Sequence, residues 1–247
     1  MTFFLPVWTL WQRELIRFWR EKTRVAGFVG SPLVFWLVIG SGFGDLAFFY
    51  PGALTLTVMF SAVFSTMSLI EDRREGFLLS MLVSPAPRNA LVLGKTLGSS
   101  TLAWIQGLIF LAFAPLAGVR FSLAGFMEIV AVLFLVALTF TLLGFWIAWR
   151  MDSSQGFHAI MNLVLVPLWM VSGSLFSTEQ AHGWIRWVML ANPLTYSLAA
   201  LRRLLGPAIP PGTPSTAASL LVTAGCAAVL LILSSAAAGE KSARNAA

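Results

Sequence analysis

The chain has 247 residues, of which 58% are hydrophobic and only 11% are charged, and its mean hydropathy is +0.84. Soluble domains are about 45–50% apolar and about 25% charged, so this composition excludes an ordinary globular protein and predicts a membrane protein. The net charge of +6 does not predict a nucleic-acid partner, because so apolar a chain leaves no broad basic face.

Residues 1–24 predict an amphipathic helix that lies in the plane of the membrane interface. At 100° per residue, aromatic and aliphatic side chains form one stripe and arginines occupy the opposite side. We expect the stripe to enter the lipid and the arginines to face anionic head groups. The stripe contains Phe4, Trp8, Trp11, Leu15, Phe18 and Trp19, and the other side contains Arg13, Arg17, Arg20 and Arg24.

Six later stretches are long and apolar enough to cross a bilayer, which takes about 20 helical residues. Lipid-exposed backbone must satisfy its own hydrogen bonds, so the sequence predicts an all-α membrane protein with six transmembrane helices. Within them, Glu128 and His158 lie near the start of their segments. We expect both to snorkel to the interface, and a buried functional role is the alternative. The predicted spans are 25–43, 52–70, 96–118, 124–149, 157–176 and 215–238.

The distribution of basic residues predicts the orientation of the chain. If both termini face the cytoplasm, 12 lysines and arginines lie inside and four lie outside. The excess of Lys and Arg in cytoplasmic loops favours this topology. The weak point is the connection 177–214, because it would carry three arginines on the outer side.

The loop 71–95 is longer than a plain connection between two spans requires. A charged turn is followed by an apolar stretch, which Ser84-Pro85 ends. We expect a short helix that either lies in the lipid interface or, as we favour, docks into a groove of a partner protein. The residues concerned are Glu71, Asp72, Arg73, Arg74, Glu75, Gly76, Phe77, Leu79, Leu82, Ser84, Pro85 and Arg88.

The stretch Asn89–Thr96, "NALVLGKT", ends like a phosphate-binding P-loop but begins with Asn89 where that motif requires glycine. It also leads into a predicted span instead of joining a strand to a soluble helix. No zinc motif and no G-x-S-x-G nucleophile motif is present in the sequence. We therefore expect that the chain is not an enzyme and binds no cofactor or metal itself.

The connection 177–214 is too apolar for a plain loop, and Asn192-Pro193 interrupts it. It predicts two short helices at or dipping into the outer interface, with aromatic side chains at the head-group level. A seventh span beginning near Trp184 is the alternative, and it would place the C-terminus outside.

Two of these segments resemble the ABC-2 class of ABC transporter permeases. "MSLIEDRREGFLLSMLVSPAPRNALVLGK" is similar to the segment between the second and third spans of that class. In that class, a charged turn ending in Glu-x-Gly leads to an apolar helix, then Ser-Pro, a basic residue and Gly-Lys. "ANPLTYSLAALRRLLG" is similar to its Asn-Pro-x-x-Tyr…Arg segment between spans five and six. The amphipathic N-terminal helix and the six-span layout agree, so the resemblance covers nearly the whole chain.

The resemblance implies a permease subunit in the bacterial inner membrane, most often of an exporter. It implies a dimer with a second copy or a paralogue, bound to two cytoplasmic ATPase subunits that hold ATP and Mg²⁺. The segment 71–88 would be the coupling helix in a groove of the ATPase, and 9–24 would be a connecting helix beside it. The segment 181–206 would form extracellular re-entrant helices that contain Asn192, Pro193, Tyr196 and Arg202.

The fifth span carries polar side chains that could line a solute route at the dimer interface, since such groups are costly toward lipid. They are Asn162, Trp169, Ser172 and Ser174. Hydrogen bonding to neighbouring helices is an equal alternative. Two other functions stay open, namely a membrane anchor or assembly subunit that moves no solute, and a multi-spanning membrane enzyme.

Overall fold

The computed structural model of the protein describes residues 3–20, 22–84, 86–206 and 209–245. The regular secondary structure of these residues is helical, and two short 3₁₀ and π segments, Ala114–Ala117 and Met170–Ser174, extend the α-helices. The α-helices are α1 (Phe4–Arg20), α2 (Lys22–Phe43), α3 (Leu46–Ser65), α4 (Ser68–Arg74), α5 (Phe77–Val83), α6 (Arg88–Leu111), α7 (Leu123–Ala148), α8 (Ser154–Trp169), α9 (Trp184–Ala191), α10 (Pro193–Leu205) and α11 (Thr216–Asn245).

Four helical stretches of the described chain are long and apolar enough to cross a membrane: Leu46–Arg74, Leu123–Ala148, Ser154–Ser174 and Thr216–Gly239. The all-helical membrane class is therefore confirmed. The first predicted span corresponds to α2, whose shorter apolar part is Val29–Phe43. The third corresponds to α6, which is more polar because it begins at Arg88 and contains Lys95. The six-span layout stays a prediction.

Side-chain contacts show which helix ends lie together. Arg73 of α4 donates hydrogen bonds to the turn between α7 and α8. Arg88, at the start of α6, donates to the carbonyls of Ala238 and Gly239 in α11. Arg202, near the end of α10, donates to the Phe48 carbonyl at the start of α3. The turn between α2 and α3 therefore lies at the opposite end of the bundle from α4.

Helices α3, α6 and α7 form the centre of the bundle, and α2 packs against them through aromatic rings. The rings of Trp36 and Tyr50 lie 5.2 Å apart, and those of Tyr50 and Phe110 lie 5.5 Å apart. Each polar tip finds a backbone acceptor, because Trp36 donates to the Leu46 carbonyl at 2.8 Å and Tyr50 to the Phe110 carbonyl at 3.0 Å. Buried aromatics of this kind fix the helix register as well as filling space.

The predicted loop 71–95 differs in detail from the observed chain. It contains the end of α4, all of α5 and the first two turns of α6. Gly76 separates α4 from α5 with a φ of +77°, a backbone conformation that glycine adopts without strain. The stretch Asn89–Thr96 lies inside α6, so its backbone is a regular helix and not a loop that curls around a phosphate.

Candidate functional site: a buried ionic cluster

A cluster of six charged side chains joins α1, α4 and α6 at one end of the bundle. Asp72 of α4 lies at its centre with no exposed surface. It accepts hydrogen bonds from Arg13 at 3.0 and 2.8 Å and from Arg17 at 3.0 Å. Lys95 of α6 forms a further ion pair with it. Arg17 also binds Glu71 at 2.5 Å.

Lys95 connects Asp72 to a second buried acid on α1. Its ammonium lies 2.6 Å from the carboxylate of Glu14, and the side chains of Lys95 and Glu14 are only 2% and 3% exposed. The other Glu14 oxygen accepts a hydrogen bond from the Ser68 hydroxyl at 2.8 Å. Each buried charge thus has opposite charges and donors around it, as buried ions require.

The cluster is formally neutral, since three cations balance three acids. Arg13 and Arg17 keep part of their surface in solvent. Burial by itself lowers the pKa of the Arg13 guanidinium, but the hydrogen bonds and the charge of Asp72 outweigh it and raise that pKa. Arg13 therefore remains charged, and the cluster acts as a fixed electrostatic joint between α1, α4 and α6. Its members are Arg13, Arg17, Lys95, Glu14, Glu71 and Asp72.

Two glycines of α6 allow α1 to come close enough for these contacts. A Cβ atom on Gly94 would lie 2.8 Å from the Leu10 Cβ, and one on Gly98 would lie 2.7 Å from the Glu14 Cβ. The spacing is the small-x-x-x-small pattern of closely packed helices. Trp11 adds a hydrogen bond to Thr101 at 3.1 Å. The glycine and lysine that resemble a P-loop thus serve helix packing and ion pairing.

We expect Gly98→Ala to lower the free energy of unfolding by about 1–3 kcal/mol, because its methyl group would overpack the contact with α1. Thermal unfolding of the purified chain measures this. Gly42→Ala in α2 is the matched control, since nothing lies within 4 Å of its added methyl group. That change should be neutral or stabilising, as alanine favours a helix over glycine. Equal effects of the two changes would contradict the close contact.

Arg73 attaches α4 to the opposite side of the bundle. Its guanidinium donates to the Trp149 carbonyl at 2.6 Å, to the Met151 carbonyl at 2.8 Å and to the Asp152 carboxylate at 2.6 Å. These acceptors form the end of α7 and the turn into α8, where helix carbonyls lack intrahelical partners. Arg74 adds one exposed bond, from its Nε to the Asp152 carbonyl at 3.1 Å.

Helix α5 presents an exposed apolar face beyond this joint. Leu79 and Val83 are 61% and 77% exposed, whereas Leu78, which directly precedes Leu79, is buried. Phe77 lies under the Arg13 guanidinium, 3.8 Å from its centre, and Leu82 is half-buried. Glu75 and Gly76 are exposed. The Ser84 hydroxyl donates to the Met81 carbonyl at 2.7 Å and ends the helix. Pro85 lies outside the described residues.

The predicted interfacial helix is present as α1, but its arginines are placed differently from the expectation. Arg13 and Arg17 bind acids of α4 instead of facing outward. Phe4 and Trp8 are exposed, as a lipid-facing stripe requires, and Trp11 stacks on Trp8 with centroids 4.8 Å apart. Phe18, at the far end of the stripe, is buried. The side chains of Trp19 and Arg20 lie outside the described residues.

The Asn-Pro-x-x-Tyr segment forms the junction between α9 and α10. The Asn192 amide donates to the Leu168 carbonyl of α8 at 2.7 Å, and its oxygen caps α10 by accepting from the Leu194 amide at 2.9 Å. Pro193 occupies the first turn of α10, where its missing N–H costs nothing. Tyr196 donates back to the Leu190 carbonyl at 2.9 Å. This motif therefore has a structural explanation.

The residues proposed to line a solute route separate into two groups. Asn162 and Trp169 line a cavity of about 500 Å³ between α2, α3 and α8, together with Phe35, Phe60 and His158. The Trp169 indole itself donates to the Gly52 carbonyl at 2.8 Å. Ser172 lies elsewhere, buried and bonded to the Trp169 carbonyl at 2.7 Å and to Ser174 at 2.8 Å. Its hydroxyl is used within the protein.

The described residues thus form an all-helical bundle with several helices of membrane length, and a charged joint lies under the exposed apolar face of α5. Comparison with known families is specific, since the sequence model of the ABC-2 type transporter family matches residues 6–205. The chain belongs to this family, as the resemblance implied. It is thus a membrane-embedded transport permease, and the family in general works with a cytoplasmic ABC ATPase.

Individual relatives agree with this assignment. The chain is 25% identical over 216 residues to ycf38 of Cyanophora paradoxa, which carries a transport-permease name, with 81% of this chain and 74% of the relative covered. It is 27% identical over 213 residues to the daunorubicin resistance ABC transporter permease protein DrrB1 of Streptomyces coeruleorubidus, covering 79% and 73%. Nodulation protein J of Rhizobium leguminosarum bv. viciae is 23% identical over 207 residues, covering 78% and 79%.

Proposed function

We propose that the protein is the permease subunit of an ATP-driven exporter in the bacterial inner membrane. A separate cytoplasmic ATPase would hold ATP and Mg²⁺ and drive the movement of solute through a dimer of this chain with a second copy or a paralogue. The observation that carries the proposal is the buried ionic cluster, which makes α1, α4 and α6 one mechanical unit beneath the exposed face of α5.

The physical argument is one of force transmission. Energy from ATP must reach the membrane through a rigid element that has two positions. Helix α5 offers Leu79 and Val83 to a partner, and the short α4 behind it is bonded to α1 and α6 through Asp72 and to α7 and α8 through Arg73. A displacement of α5 would therefore move the adjoining ends of several predicted spans together.

The helix ends support a topology in which the ionic cluster and the end of α11 lie on the same side of the membrane, which we propose is the cytoplasmic side. The ionic cluster, the α7–α8 turn and the end of α11 lie at one end of the bundle, and the α2–α3 turn and the end of α10 lie at the other. Six passes between these ends, by α2, α3, α6, α7, α8 and α11, match the six spans that we propose. The connection containing α9 and α10 would then be extracellular.

We expect the double change Leu79→Asp and Val83→Asp to abolish binding of the ATPase, because two carboxylates would enter an apolar contact. The test is purification of the chain from its native membrane in mild detergent, with mass spectrometry of the proteins that co-elute. Trp187→Asp, an equally exposed change on α9 at the opposite end, is the control and should leave ATPase recovery unchanged.

The other outcomes separate the alternatives. Recovery of a Walker-motif ATPase with wild type and with Trp187→Asp, but not with the double variant, supports a coupling helix. Recovery that is insensitive to the double change would place Leu79 and Val83 in lipid. Absence of any ATPase from the wild-type preparation would favour an anchor or an enzyme over a transporter subunit.

A further inference from the structure

A second cavity, at the opposite end of the bundle from the ionic cluster, has no role in the function proposed above. It has a volume of about 310 Å³, within the range of small-ligand sites. It lies between the α2–α3 turn, the end of α10 and the segment that follows α10. Its wall combines charged, hydroxyl and apolar groups, and includes Asp45, Phe48, Pro51, Ser177, Arg202 and Pro210.

Arg202 is the unusual member of this wall, because the residue is only 4% exposed and not all of its hydrogen-bond donors have an acceptor in the described residues. Its Nη2 donates a long bond of 3.3 Å to the Phe48 carbonyl, and its guanidinium lies 4.5 Å from the Phe48 ring centre. Its Nε atom is buried and has no partner in the described parts of the chain. Burial lowers the pKa of Arg202 to about 10, so the group is still charged at neutral pH. A buried cationic N–H without an acceptor is costly, and an anion bound in the cavity would offset that cost.

Asp45 supplies the opposite charge on the same wall. One of its oxygens accepts a hydrogen bond from the Phe48 amide at 2.8 Å and caps the start of α3. Its charge partly offsets the lowering of the Arg202 pKa by burial. However, the described hydrogen bond of Arg202 goes to the Phe48 carbonyl and not to Asp45. The cavity therefore presents a cation and an anion that do not neutralise each other by contact.

We propose that this cavity binds a zwitterionic phosphoethanolamine group, with its phosphate on Arg202 and its ammonium on Asp45. A guanidinium with free donors suits a phosphate, which accepts several hydrogen bonds at once. The Ser177 hydroxyl, which accepts from the Gln180 amide at 3.3 Å, keeps its own proton for donation to the phosphate. A purely anionic ligand fits less well, because the carboxylate of Asp45 would repel it.

The apolar part of the wall suits either of two sources of this group. Pro51, Ile209 and Pro210 line the cavity, and acyl chains of a phospholipid could leave along such a surface into the bilayer. A free head group, such as O-phosphoethanolamine, would occupy the charged part alone. The shared chemistry is an ammonium and a phosphate joined by a two-carbon linker.

The test uses the full chain, purified in detergent and stripped of lipid, with no ATPase present. Native mass spectrometry would compare binding of dioleoyl phosphatidylethanolamine and dioleoyl phosphatidylglycerol added in equal amounts. We expect wild type to prefer the ethanolamine lipid by about tenfold, the ratio that one charge-assisted hydrogen bond supplies. Asp45→Asn keeps the helix cap, since asparagine also caps helices, and should abolish this preference.

Three further variants complete the design. Arg202→Gln should reduce binding of both lipids by about tenfold or more, since the phosphate loses its cation. Arg202→Lys keeps the charge and guards against a folding defect in Arg202→Gln, and should retain part of the binding. Arg186→Gln removes an exposed arginine of α9 at the same end of the molecule, and should change nothing.

A parallel titration with soluble O-phosphoethanolamine distinguishes the two sources. Binding of the soluble compound with the same dependence on Asp45 and Arg202 would support a head-group site, and binding of the lipid alone would support a phospholipid site. Equal binding of both lipids to wild type, or an unchanged preference in Asp45→Asn, would overturn the proposal. Because the experiment contains no ATPase, its failure leaves the transporter function untouched.

Discussion

Replacing Lys95 by methionine is expected to lower the free energy of unfolding by about 3–5 kcal/mol, the typical effect of breaking a buried ion pair by removing one partner. Lys95 is the cation that contacts both Asp72 and Glu14, and both acids are buried. Without it, the cluster keeps three acids and only two cations. Thermal unfolding of the purified chain, followed by tryptophan fluorescence, would show a midpoint lowered by about 10 °C.

A second variant, which restores the charge balance, decides whether unpaired charge causes the loss of stability in Lys95→Met. Glu14→Gln combined with Lys95→Met removes one charge of each sign, and glutamine can still accept the hydrogen bond from Ser68. We expect this double variant to recover more than half of the lost stability, because a buried ion pair replaced as a whole is often nearly neutral. If the double variant unfolds at the same temperature as Lys95→Met, lost packing and not unpaired charge would explain the effect.

The elements that sequence patterns predicted best are those with a strong local signal. The stretches now seen as α7 and α11 are long and apolar, so their helical nature follows from the need to satisfy the backbone in lipid. The amphipathic pattern of α1 and the Ser84 break after α5 were also readable, since both depend on neighbours within a few residues. Family membership followed from two motifs whose spacing is local.

The partners inside the cluster could not be read from the sequence, because they are far apart along the chain. Asp72 was grouped with the charged residues of a docking loop, and Lys95 was counted as a loop cation. The structure buries both, and it pairs Lys95 with Asp72 and also with Glu14, which no local motif marked. One signal was available, since an acid between Trp11 and Phe18 interrupts the buried side of an otherwise apolar stripe and requires a cation.

The close packing of α1 on α6 at two glycines could not be predicted from the sequence either. Gly94 and Gly98 have the spacing of a close helix contact, but in the sequence Gly94 stands out only as part of the stretch Asn89–Thr96, which ends like a P-loop. Only the position of α1 against α6 reveals that the missing side chains make room for Leu10 and Glu14. Helix-to-helix docking is set by the sum of many weak contacts, which single motifs do not encode.

Replacing Arg73 by glutamine is expected to uncouple α4 from α7 and α8 while leaving ATPase binding intact. The change removes three hydrogen bonds from one guanidinium to the α7–α8 turn, but it does not alter Leu79 or Val83. A readout that does not require the solute to be known is the rate at which a thiol reagent labels the variant Asn162→Cys. Asn162 is exposed on α8, and Cys226→Ala in the same chain removes the natural thiol. The measurement is made with the co-purified ATPase, with and without ATP and vanadate.

In the chain with Arg73 unchanged, we expect nucleotide on the ATPase to alter the labelling rate by about fivefold or more. This corresponds to a coupling free energy of about 1–3 kcal/mol between the nucleotide site and α8. Arg73→Gln should reduce this response to below about twofold, with recovery of the ATPase unchanged. Arg74→Gln is the matched control, because the neighbouring guanidinium makes one exposed bond to the same turn, and its response should stay intact. A full response in Arg73→Gln would mean that the movement reaches α8 by another route, with the joint between α4, α1 and α6 as the remaining path.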